Sequence, residues 1–326
     1  MKIAITGATG FIGKATARLL KDHGFDTRLI IRNNKKNQFY DQEIFNIDNI
    51  NKKTIWKDSL NNIHTVIHCA GFAHDNDNIE HSKNFYDEIN FEGTLNLAQE
   101  SIKHRVKRFI FLSTAKVNGE KNLLNRPFLV DDIENPIGDY AISKYKAEKA
   151  LLEFSKKSDL EVVIIRLPLV YGENVKGNFY KLLKLIKKNI PIPFGKMKNK
   201  RSYIYIENLI QFIICVIKKV KISSGVYFVS DDHDLSTSEL ISLLINFLGS
   251  SSKLYNFPIF YLKLFSKALQ KENQFNKLNN SMQVDISHTK KTFNWKPLIP
   301  ITTGLKKTVE YFKNNSDKIN INYIQK

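Results

Sequence analysis

The chain has 326 residues, 42% of them hydrophobic and 25% charged, which is enough for a sizeable core and unlike a disordered or fibrous chain. Its formal net charge is +18, with lysines spread along the whole length, so the surplus reads as solvated surface rather than a nucleic-acid-binding arm. Two cysteines, Cys69 and Cys215, lie in apolar runs, which argues against a disulfide framework and fits a reducing compartment.

In chain order, residues 2–6 read as a first strand, 13–23 as a helix closed by Gly24 at its C′ position, and 27–31 as a second strand. Residues 33–38 read as a surface loop. Strands over 65–69, 108–113 and 162–167 continue the series, with a long helix over 139–156 before the last. Such alternation signals an α/β fold, a doubly wound parallel sheet of the Rossmann type. After Tyr171 the pattern changes to helices over 179–188 and 236–248, a strand over 225–230 and scattered prolines. The expected division is a sheet domain over 1–172, with part of about 204–222 returning to it, and a smaller C-terminal α/β domain over 173–313. The polar tail, 314–326, is expected to fray.

No signal peptide is read before the first strand, and no apolar run approaches the ~20 residues that span a bilayer. The run over 209–217 ends in Lys218-Lys219 and reads as a buried helix of a cytoplasmic protein, without stable membrane insertion. Residues 257–271 are basic and amphipathic; of a membrane-surface contact and a packed helix, the packed helix is preferred.

Thr6-Gly7-Ala8-Thr9-Gly10-Phe11-Ile12-Gly13 follows a strand and opens a helix, the context of a dinucleotide-binding turn. Gly7, Gly10 and Gly13 allow a tight turn, and the helix start at Phe11 and Ile12 offers free N–H groups to a pyrophosphate. The G-x-x-G-x-x-G spacing resembles that of extended short-chain dehydrogenases. The second strand ends in Ile31-Arg32-Asn33, without the carboxylate that would bind the ribose hydroxyls of NAD. Arg32 is suited to a 2′-phosphate, so NADP(H) is favoured and NAD(H) stays open.

Tyr140-Ala141-Ile142-Ser143-Lys144 places a phenol and an ammonium on one helical face. A free tyrosine titrates near ~10, and a neighbouring cation lowers that value, so Tyr140 can exchange a proton with a hydroxyl while hydride leaves or joins its carbon. Residues 109–119, FIFLSTAKVNG, end a strand in Ser113-Thr114 before this helix.

Together these motifs resemble the NAD-dependent epimerase/dehydratase family, most nearly its UDP-glucose 4-epimerase and UDP-4-keto-6-deoxy-sugar reductase branch. The resemblance implies a catalytic set of Thr114, Tyr140 and Lys144, with Ser113 beside it as a substrate contact. It implies that Asp48 meets the adenine and that Ala70 and Gly71 let the cofactor lie close to the backbone. Pro168, in Arg166-Leu167-Pro168-Leu169-Val170-Tyr171-Gly172, would stand beside the nicotinamide. Asn178 would belong to the loop that holds UDP, and Arg201, in Arg201-Ser202-Tyr203-Ile204, would fork onto the substrate diphosphate. A homodimer through two sheet-domain helices is also compatible with the resemblance. No metal site is expected.

Sugar-nucleotide 4,6-dehydratases of the family carry an Asp-Glu pair directly after the threonine. Ala115-Lys116 stands there instead, which argues against dehydration. Asn118 replaces a tyrosine common among relatives. The resulting expectation is hydride transfer at C4 of a UDP-sugar, favoured as a 4-ketoreductase for surface polysaccharide, with a 4-epimerase holding NAD as the alternative. A non-catalytic cofactor-binding sensor or nucleic-acid-binding module ranks lower, because Tyr140 and Lys144 are both retained.

Overall fold

The computed structural model describes residues 1–32, 42–72 and 83–324; the expected loop over 33–38 lies outside them. β1 (Lys2–Thr6) passes through the glycine turn into α1 (Phe11–Asp22) and returns as β2 (Asp26–Arg32). Gly24 ends α1 as expected, at φ +77°, with Phe25 N–H donating back to Leu20 O. β3 (Glu43–Ile47) and β4 (Ile63–His68) follow. Next come α2 (Lys83–Tyr86), a π-helical stretch (Asp87–Glu92) and α3 (Gly93–Lys103), then β5 (Arg108–Thr114), α4 (Asp139–Lys156) and β6 (Glu161–Leu167). Beyond them lie β7 (Leu169–Tyr171), α5 (Gly177–Lys187), β8 (Tyr203–Tyr205), α6 (Ile206–Lys218) and β9 (Gly225–Phe228). The chain ends in α7 (Thr237–Leu248), α8 (Ile259–Ala268), α9 (Glu272–Asn279), α10 (Ser287–Phe293) and α11 (Ile301–Ile324). α11 runs to Ile324, through most of the stretch that the sequence marks as a polar tail.

The main sheet runs β3-β2-β1-β4-β5-β6-β9 with every pairing parallel, and β7 pairs with β8 in a small second sheet. This is the doubly wound Rossmann-type architecture. Its strand order reverses between β1 and β4, and ligands of such sheets bind at the carboxyl ends of the strands beside that point. Alternation along β5 explains the two cores. Ile110 and Leu112 join the layer that includes α1 and α6, while Phe109 and Phe111 join the layer that includes α3 and α4. The apolar run of α6 is buried as expected, from Leu209 to Ile217.

One buried carboxylate ties the C-terminal elements to the sheet. Asp231, just past β9, accepts from the Tyr171 hydroxyl at 2.7 Å, the Tyr205 backbone N–H at 2.9 Å and Asn208 Nδ2 at 2.8 Å. Asn208 also exchanges two bonds with the backbone of Ile299, before α11. α7 starts on a capping box between Ser236 and Glu239 and stops at Gly249, whose φ is +63°.

Candidate active site

The glycine turn is shaped by close approach. A Cβ on Gly7, at φ +67°, would lie 2.6 Å from Ala70 N, and one on Gly13 would lie 2.2 Å from Gly7 O. Both contacts are prohibitive, so Gly7 presses β1's turn onto the end of β4 and Gly13 presses α1 onto the turn. Gly10 is exposed and caps α1 without a side chain, and α1 has no acid in its first turn. The N–H groups opening α1 at Phe11 and Ile12 therefore face an uncapped, electropositive end, which fits a pyrophosphate.

Beneath this turn lies a neutral histidine. His68 Nδ1 is 2.7 Å from Thr6 Oγ1 and its Nε2 is 3.0 Å from Thr94 Oγ1. Thr94 donates its proton to Asn90 O at 2.7 Å, so Nε2 must donate to Thr94 and Nδ1 must accept from Thr6. Burial, reinforced by the Lys144 cation, lowers the imidazole to about 3.

The ammonium of Lys144 is buried at the centre of the crevice. It donates to Leu112 O at 2.9 Å and lies 4.4 Å from the centroid of the Phe111 ring. A Cβ on Gly71 would come within 3.0 Å of it and within 3.3 Å of Asn90 Oδ1, so the bare backbone of Gly71 caps both groups. Burial lowers Lys144 to about 8, against the opposing pull of Glu148 and Cys69. Tyr140 sits one helical turn earlier on α4, half-buried, with its carbonyl accepting from Ser143 Oγ. Thr114 ends β5 at 9% exposure, its Oγ1 accepting from Lys116 N.

Asn90 went unnoticed in the sequence. From the π-helical stretch its side chain clamps Phe72 through N–H at 2.7 Å and C=O at 3.0 Å, and it donates to Ser143 Oγ at 3.1 Å. It thus fixes the backbone after Gly71 against α4. The available signal was Asn90-Phe91-Glu92-Gly93-Thr94: a Cβ on Gly93 would meet Ile50 Cγ2 at 2.7 Å, and Thr94 holds His68.

Ser113 and Thr114 point to opposite sides of β5. The Ser113 hydroxyl donates to Glu148 Oε1, within a buried cluster. There Arg166 donates to Glu148 Oε2 at 2.6 Å, to Asn118 Oδ1 at 2.8 Å and to Glu134 Oε1 at 3.1 Å. Asn118, whose part the sequence left open, is thereby a partner of Arg166. Pro168 is buried between β6 and β7.

The remaining candidates lie further out. Arg32 ends β2 exposed, Asp48 is exposed just past β3, and Asn178 is exposed in the first turn of α5. Arg201 Nη1 donates to Lys277 O at 2.8 Å and Asn280 O at 3.1 Å, which seats the guanidinium on the end of α9. Burial, and after it the positive charges of Lys277 and Arg201, lower the affinity of Lys116 for a proton. Among the described residues, no group of three or more His, Cys, Asp or Glu side chains is placed to hold a metal ion.

The model of the NAD dependent epimerase/dehydratase family matches residues 3–229. The chain belongs to that family. A UDP-glucose 4-epimerase of Vibrio cholerae is 40% identical over 314 residues, 95% of each chain. An N-acetyl-α-D-glucosaminyl-diphospho-ditrans,octacis-undecaprenol 4-epimerase of Escherichia coli O157:H7 is 30% identical over 243 residues, 74% of this chain and 70% of the other. Among solved structures, UDP-glucose 4-epimerase of Thermotoga maritima with UDP-glucose superposes with a TM-score of 0.78 at 22% identity, covering 97% of this chain and 100% of the other. UDP-glucuronic acid 4-epimerase from Bacillus cereus in complex with NAD gives 0.77 at 22% identity, covering 96% and 99%. The likeness spans both the sheet and the C-terminal elements, and the protein is an enzyme of an NAD-dependent epimerase/dehydratase type.

Proposed function

We propose that the enzyme transfers hydride at C4 of a UDP-sugar and that its net reaction is 4-epimerisation with NAD held throughout the cycle. The observation that carries the hydride-transfer part of this reading is the burial of Lys144 between the carboxyl ends of β4 and β5, one turn from Tyr140 and capped by Gly71. The crevice fits a dinucleotide, with Gly7, Gly10, Phe11, Ile12 and Gly13 on its phosphates and Ala70, Gly71 and Pro168 along its nicotinamide half. When bound, the nicotinamide accepts a hydride and returns it. The Lys144 cation, one turn along the same helical face, would favour loss of the Tyr140 proton; Tyr140 would take the C4 hydroxyl proton as the C4–H bond breaks, leaving a 4-keto sugar. Thr114 donates a hydrogen bond to the same oxygen and orients it. After the keto sugar turns over, with hydride restored to its other face by the bound nicotinamide, Tyr140 would give the proton back. Nothing is consumed. Arg201 and Lys116 supply positive charge for the diphosphate, and Asn178 contacts the UDP half.

The V. cholerae relative weighs toward epimerisation, whereas the residues alone favoured a 4-ketoreductase. That second reading keeps one observation: β2 carries no acid after Asp26 and ends in exposed Arg32, an arrangement suited to the 2′-phosphate of NADP. The deciding assay offers the purified protein UDP-glucose or UDP-N-acetylglucosamine without added cofactor, and separately a UDP-4-keto-6-deoxy-N-acetylhexosamine with NADPH or NADH. Interconversion of C4 epimers in the first arm supports the epimerase; NADPH oxidation confined to the second supports the reductase. Tyr140→Phe should lower turnover at least about 100-fold in whichever arm is active while cofactor binding persists. Near-normal turnover would remove Tyr140 from the proposed role.

A further inference from the structure

The sequence reading of residues 257–271 as a packed helix holds only in part: α8 packs on α9 but leaves most of its apolar residues uncovered. Helix α8 buries Ser266 and half-buries Ile259 and Leu262, and it turns the rest of its apolar residues outward. Phe260 is 72% exposed, Phe265 58% and Leu264 56%; Tyr261, and Leu269 just past the helix, are exposed as well. Phe257, whose ring centroid is 6.1 Å from that of Tyr261, extends the same uncovered surface ahead of the helix, and Tyr255 is exposed as well. At about 100° per residue, Phe260, Leu264 and Ala268 form one stripe and Tyr261, Phe265 and Leu269 the next, covering about half the circumference. Lys263 and Lys267, spaced by four, run along one border of that face, and Lys271 follows just beyond the left-handed turn at Gln270. Between Glu239 and Glu272 the chain has no acidic residue.

We propose that this face of α8 docks on an anionic lipid surface, with the aromatic rings entering the boundary between headgroups and acyl chains and the lysine row meeting lipid phosphates. The combination of exposed aromatic and leucine side chains with a basic border matches an interfacial helix, which lies on a bilayer without crossing it. Among the described residues no helix is long and apolar enough to cross one. Charge decides between lipid and a second copy of the chain. A twofold pairing through α8 would bring together two lysine-edged helices that carry no acid of their own, on molecules of net charge +18, whereas anionic headgroups complement them. α8 packs on α9, whose final turn seats Arg201, so docking would set the bilayer beside the C-terminal wall of the crevice.

The test uses the full chain and two vesicle preparations, pure phosphatidylcholine and phosphatidylcholine mixed with phosphatidylglycerol, read by co-sedimentation. Binding is expected to the phosphatidylglycerol vesicles, weakening as salt is raised. The triple variant Phe260→Ser, Leu264→Ser, Phe265→Ser keeps every charge and alters only exposed side chains. It should bind at least about tenfold more weakly, with circular dichroism unchanged. Lys263→Glu, Lys267→Glu, Lys271→Glu should abolish binding. Failure of the native chain to bind phosphatidylglycerol vesicles would overturn the proposal. So would equal binding by the serine variant, since the general positive charge would then suffice. A dimer in sedimentation velocity that the serine variant reduces to monomer would assign the face to a second copy instead.

Discussion

Two arginines, each 1% exposed, stand at opposite ends of neighbouring strands, and the company they keep differs. Arg108 opens β5 at the amino edge of the sheet. It pairs with one carboxylate, Glu161, and donates to Val216 O, Ile217 O and Lys219 O, closing the C-terminus of α6. Arg166 lies near the carboxyl end of β6, in register with Ser113, and gathers Glu148, Glu134 and Asn118. The first arginine fastens a helix to the sheet by satisfying orphan carbonyls. The second is surrounded by side chains that border Thr114 and Lys144. Burial of a charge therefore does not by itself distinguish the two; the proposed site lies at the end of the sheet where the second is buried.

The sharpest way to break this contrast is to remove each arginine. Arg108→Ala removes the main partner of Glu161 and a donor to three carbonyls, and should cost about 3–5 kcal/mol in urea unfolding while turnover per folded molecule stays native. Arg166→Leu should destabilise by a similar amount, about 3–5 kcal/mol, and should also lower turnover, by up to about 100-fold, as the Thr114 strand end shifts. Equal effects on rate would erase the distinction.

Lys144 sharpens it from the site's side. Its folded value is depressed to about 8 from 10.5, so between those pH values the unfolded chain binds a proton that the folded chain does not. Stability should therefore rise with pH across that window, by about 3 kcal/mol at 1.36 kcal/mol per unit. Lys144→Met should lack this rise, which denaturation at several pH values would reveal. A smaller effect is expected at Asn118, which gives Arg166 one acceptor but leaves its own Nδ2 buried without a partner among the described residues. Asn118→Ala should thus cost only about 1 kcal/mol in unfolding and a few-fold in turnover, because one lost bond is offset by one relieved donor.

Much of the sheet was legible in the residues because its signals are local. The glycines of the first turn, and Tyr140 with Lys144 on one helical face, each work within a few residues of one another. What stayed hidden depends on contacts distant along the chain. Asn90 acts on Ser143, and Glu148 acts on both Ser113 and Arg166, pairings that no spacing rule reveals. Ser113 was paired with Thr114 as a substrate contact, yet alternation along β5 turns it toward α4 and Glu148. β3 escaped notice because its short, half-polar sequence, Glu43-Ile44-Phe45-Asn46-Ile47, gives little apolar signal. For α8, periodicity revealed an apolar face but not whether a neighbour covers it.

Asp231 also has a consequence for how the molecule comes apart. It joins β7, the first turn of α6 and, through Asn208, the chain before α11, so no one of these can open without stranding the buried carboxylate. In native-state hydrogen exchange the Tyr205 and Ile299 amides should accordingly open as one unit with a shared free energy. The C-terminal elements and the sheet then unravel together, and a fragment ending before β9 would lack the carboxylate that closes the clasp.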